Sequence, residues 1–219
     1  TPLFVGGTPL YLKALLRGTF AGPAADWDLR RKYEQQAAAE GPEALHRQLQ
    51  AVDAAAAARL HPNDARRIIR ALEVHQLTGV PISQWQQQFE TPVPQNECRV
   101  FCLQWERAVL QERSHRRVDA MFAAGLVDEV RGLLAAGELS QTASQALGYR
   151  EVIEHLAGVR SLAETVDLVK LRTRQFAKRQ ETWFRSLAEC RMVPVDEASD
   201  MSQVAEAILA AGREAKASE

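Results

Sequence analysis

The stretch from position 161 to about 187 does most to limit what this chain can fold into. Leu162, Val166, Val169, Phe176, Trp183, Phe184 and Leu187 recur at helical spacing, with Thr173 and Gln180 falling into the same face. Ser161 opens the run and Glu164 follows three residues later, the spacing at which each side chain satisfies the other's free amide. At 1.5 Å per residue such a helix is about 40 Å long, enough to cross a small domain.

Strand-like runs flank long helical ones. Leu3-Phe4-Val5 reads as a strand that enters a tight turn at Gly6-Gly7-Thr8-Pro9 and then a helix, with Pro9 suited to its first turn. From 28 to Phe89 the pattern is helical, with Asp28, Asp53 and Asp64 as N-cap candidates, a breaker at Thr78-Gly79-Val80-Pro81 and a short helix around Trp85. An irregular linker at 91–96 leads to a second strand at 99–105 and helices over 106–123, 125–136 and 142–157. After the long helix come a short strand at 191–196 and a closing helix over 201–213. Alternation at both ends of an all-helical block predicts an α/β core, predominantly helical, interrupted by a helical insertion. The expected division is a core of 1–17 and 98–219 with an insertion of 18–97.

Composition excludes several classes. Lys and Arg total 27 against 28 Asp and Glu, a net −1 that fits neither a uniformly basic coat nor a charged disordered tail. No run approaches the ~20 consecutive apolar residues that span a bilayer. Cys98, Cys102 and Cys190 lack CxxC spacing and read as free buried thiols rather than metal ligands. His46, His61, His75, His115 and His155 are scattered and read as structural or exposed. A soluble intracellular chain is the expectation. Its first residue is Thr1, set directly before an apolar segment, which reads as a piece of a longer protein.

Charge is segregated along the chain. Lys170, Arg172, Arg174, Lys178, Arg179 and Arg185 face one acid, Glu181, a local +5 on a chain of net −1. Such segregation suits a phosphodiester backbone, although a solvated helix face has the same look. Over 106–123, Leu110, Arg117 and Met121 share one line, with Ser114 and Val118 to one side and Arg113 to the other. A guanidinium inside an apolar stripe needs a carboxylate or a ligand anion, and both readings stand. Arg66, Arg67 and Arg70 follow His61-Pro62-Asn63-Asp64 within one arc, where arginine in the first turn opposes the helix dipole. Gly148 sits inside a helical pattern at a cost of about 1 kcal/mol, which suggests close approach of a backbone or ligand. Gly6-Gly7-Thr8 at a helix start could hold an oxyanion. Neither GxxxxGK[ST] nor GxGxxG occurs in these residues.

Four runs in order carry a resemblance. They are Leu3-Phe4-Val5-Gly6-Gly7-Thr8-Pro9-Leu10-Tyr11-Leu12-Lys13-Ala14-Leu15-Leu16, then His61-Pro62-Asn63-Asp64 through to Arg70-Ala71-Leu72-Glu73-Val74, then Gly148-Tyr149-Arg150-Glu151, then Arg174-Gln175-Phe176-Ala177-Lys178-Arg179-Gln180 with Thr182-Trp183-Phe184-Arg185. Together they resemble the tRNA dimethylallyltransferases, or tRNA isopentenyltransferases. The resemblance implies an incomplete P-loop kinase-like core with a helical insertion domain. The family's opening strand, its ATP-like phosphate loop and its catalytic aspartate would precede Thr1, so this chain alone would not turn over.

The implied activity is transfer of a dimethylallyl group from its diphosphate to N6 of the adenosine 3′ of the anticodon in tRNAs reading codons that begin with U. The resemblance implies a cytoplasmic monomer that uses Mg²⁺ and binds the tRNA anticodon stem-loop and dimethylallyl diphosphate. It matches Arg117 and Thr8 to catalytic positions, and Gly6, Gly7 and Arg113 to the diphosphate and substrate. For tRNA it points to Arg30, Arg66, Arg67, Arg70, Gln145, Gly148, Tyr149, Arg150, Lys178, Arg179 and Gln180. At Gln145 some members carry a basic residue. The rival expectations are a helical RNA-binding module without catalysis and a small-molecule P-loop kinase relative, the second of which leaves the basic long helix unexplained.

Overall fold

The computed structural model describes residues 2–20, 22–86, 91–137 and 139–214. Phe89, where the first helical block was expected to end, lies outside them. The chain divides into two compact units, Thr1–Pro9 with Pro94–Glu219, and Leu10–Val93. Helix α1 (Pro9–Arg17) therefore clusters with the second unit for all but its first residue.

That second unit is helical throughout its described residues: α2 (Trp27–Glu40), α3 (Pro42–Val52), α4 (Ala54–Arg59), α5 (Ala65–Thr78) and α6 (Ile82–Trp85) follow α1. Carboxylate caps set the boundaries. Asp26, rather than the expected Asp28, accepts from the Leu29 N–H at 2.9 Å, because an N-cap must precede the first helical residue. Asp53 is buried and caps twice, accepting from Ala56 N–H and from Ser83 N–H, both at 2.9 Å, so one side chain joins α4 to α6. Asp64 caps α5. Ile68, Ile69 and Leu72 of α5 pack on Leu45 and Leu49 of α3, with Ala56, Ala57 and Ile82 closing the core.

Within this apolar core stands a charged residue. Glu73 of α5 is fully buried, and its carboxylate accepts from the Asp26 N–H at 2.7 Å, from two nitrogens of Arg30 at 2.9 Å each, and from Arg70 at 2.6 Å. Arg70 donates in turn to the Pro23 carbonyl at 2.9 Å. Burial alone would raise the Glu73 carboxyl, but the hydrogen bonds from Arg30 and Arg70 outweigh it and hold it below the usual carboxylate range.

The other unit carries a parallel pair, β1 (Val100–Trp105) and β2 (Cys190–Val195), with Val100 opposite Cys190 and Trp105 opposite Val195. Parallel strands need a crossover. Here it is α7 (Arg107–Ala123), α8 (Leu126–Ala136), α9 (Gln141–Ser144), α10 (Tyr149–Leu156) and α11 (Leu162–Ser186), and α12 (Met201–Glu214) follows β2. Leu126, Val130 and Val152 join α8 to α10, and Val118 of α7 and Val169 of α11 are buried. Ser161 and Glu164 form the expected capping box at the start of α11.

Two expectations fail in this unit. Leu3, Phe4 and Val5 form no strand and are 86%, 69% and 88% exposed, because no described strand offers them a ladder. The helix expected over 142–157 breaks into α9 and α10 at Gly148, which is the N-cap of α10 with φ +99° and not a helix-interior glycine. Its N–H donates to the buried Glu151 carboxylate at 2.7 Å, and Glu151 also pairs with Arg172 of α11.

Two outcomes follow from these anchors. Replacing Glu73 with Ala leaves two arginines without their acid and should lower unfolding free energy by roughly 3–5 kcal/mol in denaturant titrations. Because the folded pKa of Glu73 is depressed, its stabilisation is full above its unfolded value near ~4.3 and lost as pH falls through the folded value. Melting temperature should then fall more steeply below about pH 4 in the native chain than in Glu73→Gln. Gly148→Ala should destabilise by roughly 1–3 kcal/mol, since a Cβ there meets only Leu126 at 3.9 Å and the penalty lies in the positive φ. A helix-interior glycine would give the opposite sign.

Candidate functional site

Gly6-Gly7-Thr8 lies ahead of α1 with all three residues exposed. The Gly7 carbonyl accepts from the side-chain amide of Gln180 on α11. A Cβ on Gly7 would stand 2.7 Å from that amide nitrogen, so a larger residue there would displace the end of the Gln180 side chain. Gly6 has open space around it. Two runs singled out separately in the sequence, the glycine turn and the basic helix, thus meet at Gly7 and Gln180.

Arg113 and Arg117 do not lie inside a buried stripe. Both are exposed, and Val118 is the buried residue of α7. The packed face runs through Gln111, Ser114, His115, Val118, Met121 and Phe122, which turns it about 100° from Arg117, one residue's rotation. Arg113 covers the Trp105 ring at 4.0 Å. Arg117 has no acid partner among the described residues. A guanidinium in that condition keeps its planar fork available to a ligand oxyanion.

The basic run of α11 sorts into two groups. Lys170 pairs with Asp119 of α7 at 2.6 Å, Arg172 with Glu151 of α10, and Arg185 with Glu181 at 2.7 Å. These three serve packing between helices or along one. Arg174, Lys178 and Arg179 are exposed with no acid partner among the described residues, and Arg179 lies 6.0 Å from the Phe176 ring centre. Arg174, Gln175 and Lys178 line an open hollow of about 610 Å³ with Glu106, Arg107, Ala108 and Gln111 of the α7 end.

The arginines of the helical unit divide in the same way. Arg30 and Arg70 are spent on Glu73, although their side chains remain 25% and 28% exposed. Arg67 donates to the Asp64 cap at 2.6 Å, and that hydrogen bond holds the Asp64 carboxyl below its usual value. An arginine in the first turn of α5 is therefore balanced by its own cap. Arg66 is exposed and has no acid partner among the described residues.

Around Gly148, Gln145 is exposed just past α9. The Tyr149 hydroxyl is bonded to Glu129, which raises the phenol's pKa. Arg150 is exposed and pairs with Glu154 at 3.2 Å. Sequence reasoning missed Glu73 and Glu151. Glu73 carried a signal, an acid four residues after Ile69 on the apolar face of α5, and so did Glu151, three residues after Gly148 at capping spacing.

Among the described residues no group of three His, Cys, Asp or Glu side chains is placed to hold a metal ion. Cys98 and Cys190 are buried, Cys102 is half-buried, and all three are free thiols. Burial, above all, pushes Cys190 up to about 11. No described helix is long and apolar enough to cross a membrane.

Comparison with known proteins identifies the lineage. The sequence profile of the IPP transferase family matches residues 1–187. The chain is 50% identical over 188 residues to the tRNA dimethylallyltransferase of Geobacter metallireducens, covering 85% of this chain and 61% of that protein. It is 46% identical over 212 residues to that of Rhodopirellula baltica, covering 95% and 64%. Among solved structures, the full-length tRNA isopentenylpyrophosphate transferase of Bacillus halodurans matches with TM-score 0.58 and 35% identity, over 94% of this chain and 64% of that one. A eukaryotic dimethylallyltransferase acting on tRNA matches with TM-score 0.62 and 25% identity, over 90% and 51%. The chain thus spans about three fifths of the length of the first two relatives, 61% and 64%. Its helix-rich architecture with a small parallel sheet is structurally similar to part of these enzymes, and the chain belongs to the IPP transferase family.

Proposed function

We propose that this chain carries the RNA-facing and diphosphate-facing parts of a tRNA dimethylallyltransferase, built on a P-loop kinase-like core with a helical insertion and working as a cytoplasmic monomer. The observation that supports it is the set of cations without acid partners among the described residues: Arg117 on α7, with Arg174, Lys178 and Arg179 on α11. A chain of net −1 that pairs Lys170, Arg172 and Arg185 yet leaves these four open is suited to an anionic ligand.

In the proposed reaction, N6 of the adenosine attacks the allylic carbon of dimethylallyl diphosphate. The new C–N bond replaces the C–O bond, diphosphate leaves with the bonding pair, and the N6 proton passes to a base outside the residues named here. Negative charge grows on the departing oxygen, and an exposed fork such as Arg117 stabilises it most in the transition state. Thr8 and the Gly6-Gly7 amides, whose turn is joined to α11 through Gln180, would contact the same substrate end. Lys178, Arg179 and Arg66 would take tRNA phosphates, while Gln145, Gly148, Tyr149 and Arg150 present a turn fixed by Glu151. Mg²⁺, when bound with the diphosphate, would neutralise part of its charge.

In the full-length protein, Arg117→Ala should lower transfer of the dimethylallyl group to tRNA by roughly 100-fold or more while leaving tRNA affinity nearly unchanged. Transfer at the native rate would sink the assignment. Tight tRNA binding by a native protein that transfers nothing would favour an RNA-binding module without catalysis.

A further inference from the structure

Two adjacent glycines, Gly6 and Gly7, lie just before Thr8 and the start of α1 at Pro9. Such a pair has more backbone freedom to lose on ordering than any other dipeptide. Little around it supplies the ordering. Residues 2–8 form no helix or strand, and Leu3, Phe4 and Val5 are exposed. Among the described residues, one hydrogen bond ties 2–7 to another element: the Gln180 side-chain N–H of α11 donates to the Gly7 carbonyl. The two partners are 173 positions apart in sequence, so no local pattern could have placed them together.

Gln180 also differs from the cations that precede it on α11. Arg174, Lys178 and Arg179 are exposed and without acid partners among the described residues, whereas Gln180 is uncharged and half-buried. A neutral amide releases no counterion from a phosphodiester, and this one already donates to Gly7. Fit as well as hydrogen bonding relates the pair. A Cβ on Gly7 would fall 2.7 Å from the Gln180 Nε2, inside van der Waals contact, and the cheapest relief is for the glutamine tip to swing off the carbonyl. Where Thr8 comes to rest thus depends on one bond to a helix. A displacement of about 1 Å in a group that meets the reacting atoms can cost roughly 100-fold in rate.

We propose that Gln180 is a positioning residue for the transfer step and not the RNA contact that the family resemblance implies. Its N–H holds the Gly7 carbonyl and thereby sets the place of Thr8 and of the Gly6-Gly7 amides at the diphosphate. This inference rests on the dimethylallyl transfer reading above.

The test uses the full-length protein with Gln180→Ala, Gln180→Glu, Gly7→Ala and the Gly7→Ala, Gln180→Ala double variant. For each, kcat and KM are measured for dimethylallyl transfer to an anticodon stem-loop, and Kd for that RNA by fluorescence anisotropy, with melting temperatures recorded alongside. Gln180→Ala should lower kcat by roughly 10- to 100-fold and leave the RNA Kd within about 2-fold of native. Gln180→Glu keeps the size but has no N–H to donate, so it should not restore kcat. Gly7→Ala should lose a similar factor, and the double variant should fall within about 2-fold of Gln180→Ala, because both changes remove the same bond. Losses that multiply in the double variant, or native kcat in Gln180→Ala or Gln180→Glu, would overturn the positioning role. Weakened RNA binding with kcat unchanged would make Gln180 an RNA contact, which also overturns it. A native protein that transfers nothing to the stem-loop would instead strike the transfer reading itself.

Discussion

A carboxylate removed from water must be fully hydrogen-bonded or it destabilises the fold, and both units of this chain are organised around that constraint. In the helical unit Glu73 gathers Arg30, Arg70 and the Asp26 N–H, which fixes the start of α2 against α5. In the other, Glu151 gathers Arg172 and the Gly148 N–H, which fixes the turn before α10 against α11. Each cluster consumes arginines that a sequence reader would give to a ligand. What remains after these claims are met is a smaller set of cations, and they carry the functional argument.

The sequence expressed the regular elements well, because helices and strands are written in local periodicity and local caps. The long helix, its Ser161–Glu164 box, the Asp53 and Asp64 caps and the two paired strands all emerge where spacing placed them. Features that depend on partners distant in sequence did not emerge. Leu3-Phe4-Val5 has strand composition, but strand formation needs a ladder, and composition cannot supply one. Gly148 read as a glycine inside a helix, whereas it is the N-cap of α10 at positive φ, and the Glu151 that accepts from its N–H pairs with Arg172 on another helix.

The candidate site was legible by residue type more than by role. Arg117 stood out for the wrong reason: an apolar stripe was expected to bury it, whereas α7 turns Val118 inward and leaves Arg117 in solvent. The +5 segment of α11 is real in sequence, yet half of its cations serve acids on α7, α10 and α11 itself. The meeting of Gly7 with Gln180 joins two runs far apart in sequence that periodicity had no means to relate. The chain belongs to the IPP transferase family, and the function proposed above would give these leftovers a common purpose, because that reaction handles a diphosphate and an RNA together.

The central claim is that the cations of α11 left without acid partners among the described residues, Arg174, Lys178 and Arg179, face RNA, while Lys170, Arg172 and Arg185 hold the fold. The most direct measurement is the salt dependence of tRNA binding by the full-length protein carrying Arg174→Ala, Lys178→Ala and Arg179→Ala together. The account predicts that the slope of log affinity against log salt falls by roughly three, about one for each lost phosphate contact, with the melting temperature little changed. An unchanged slope would contradict it.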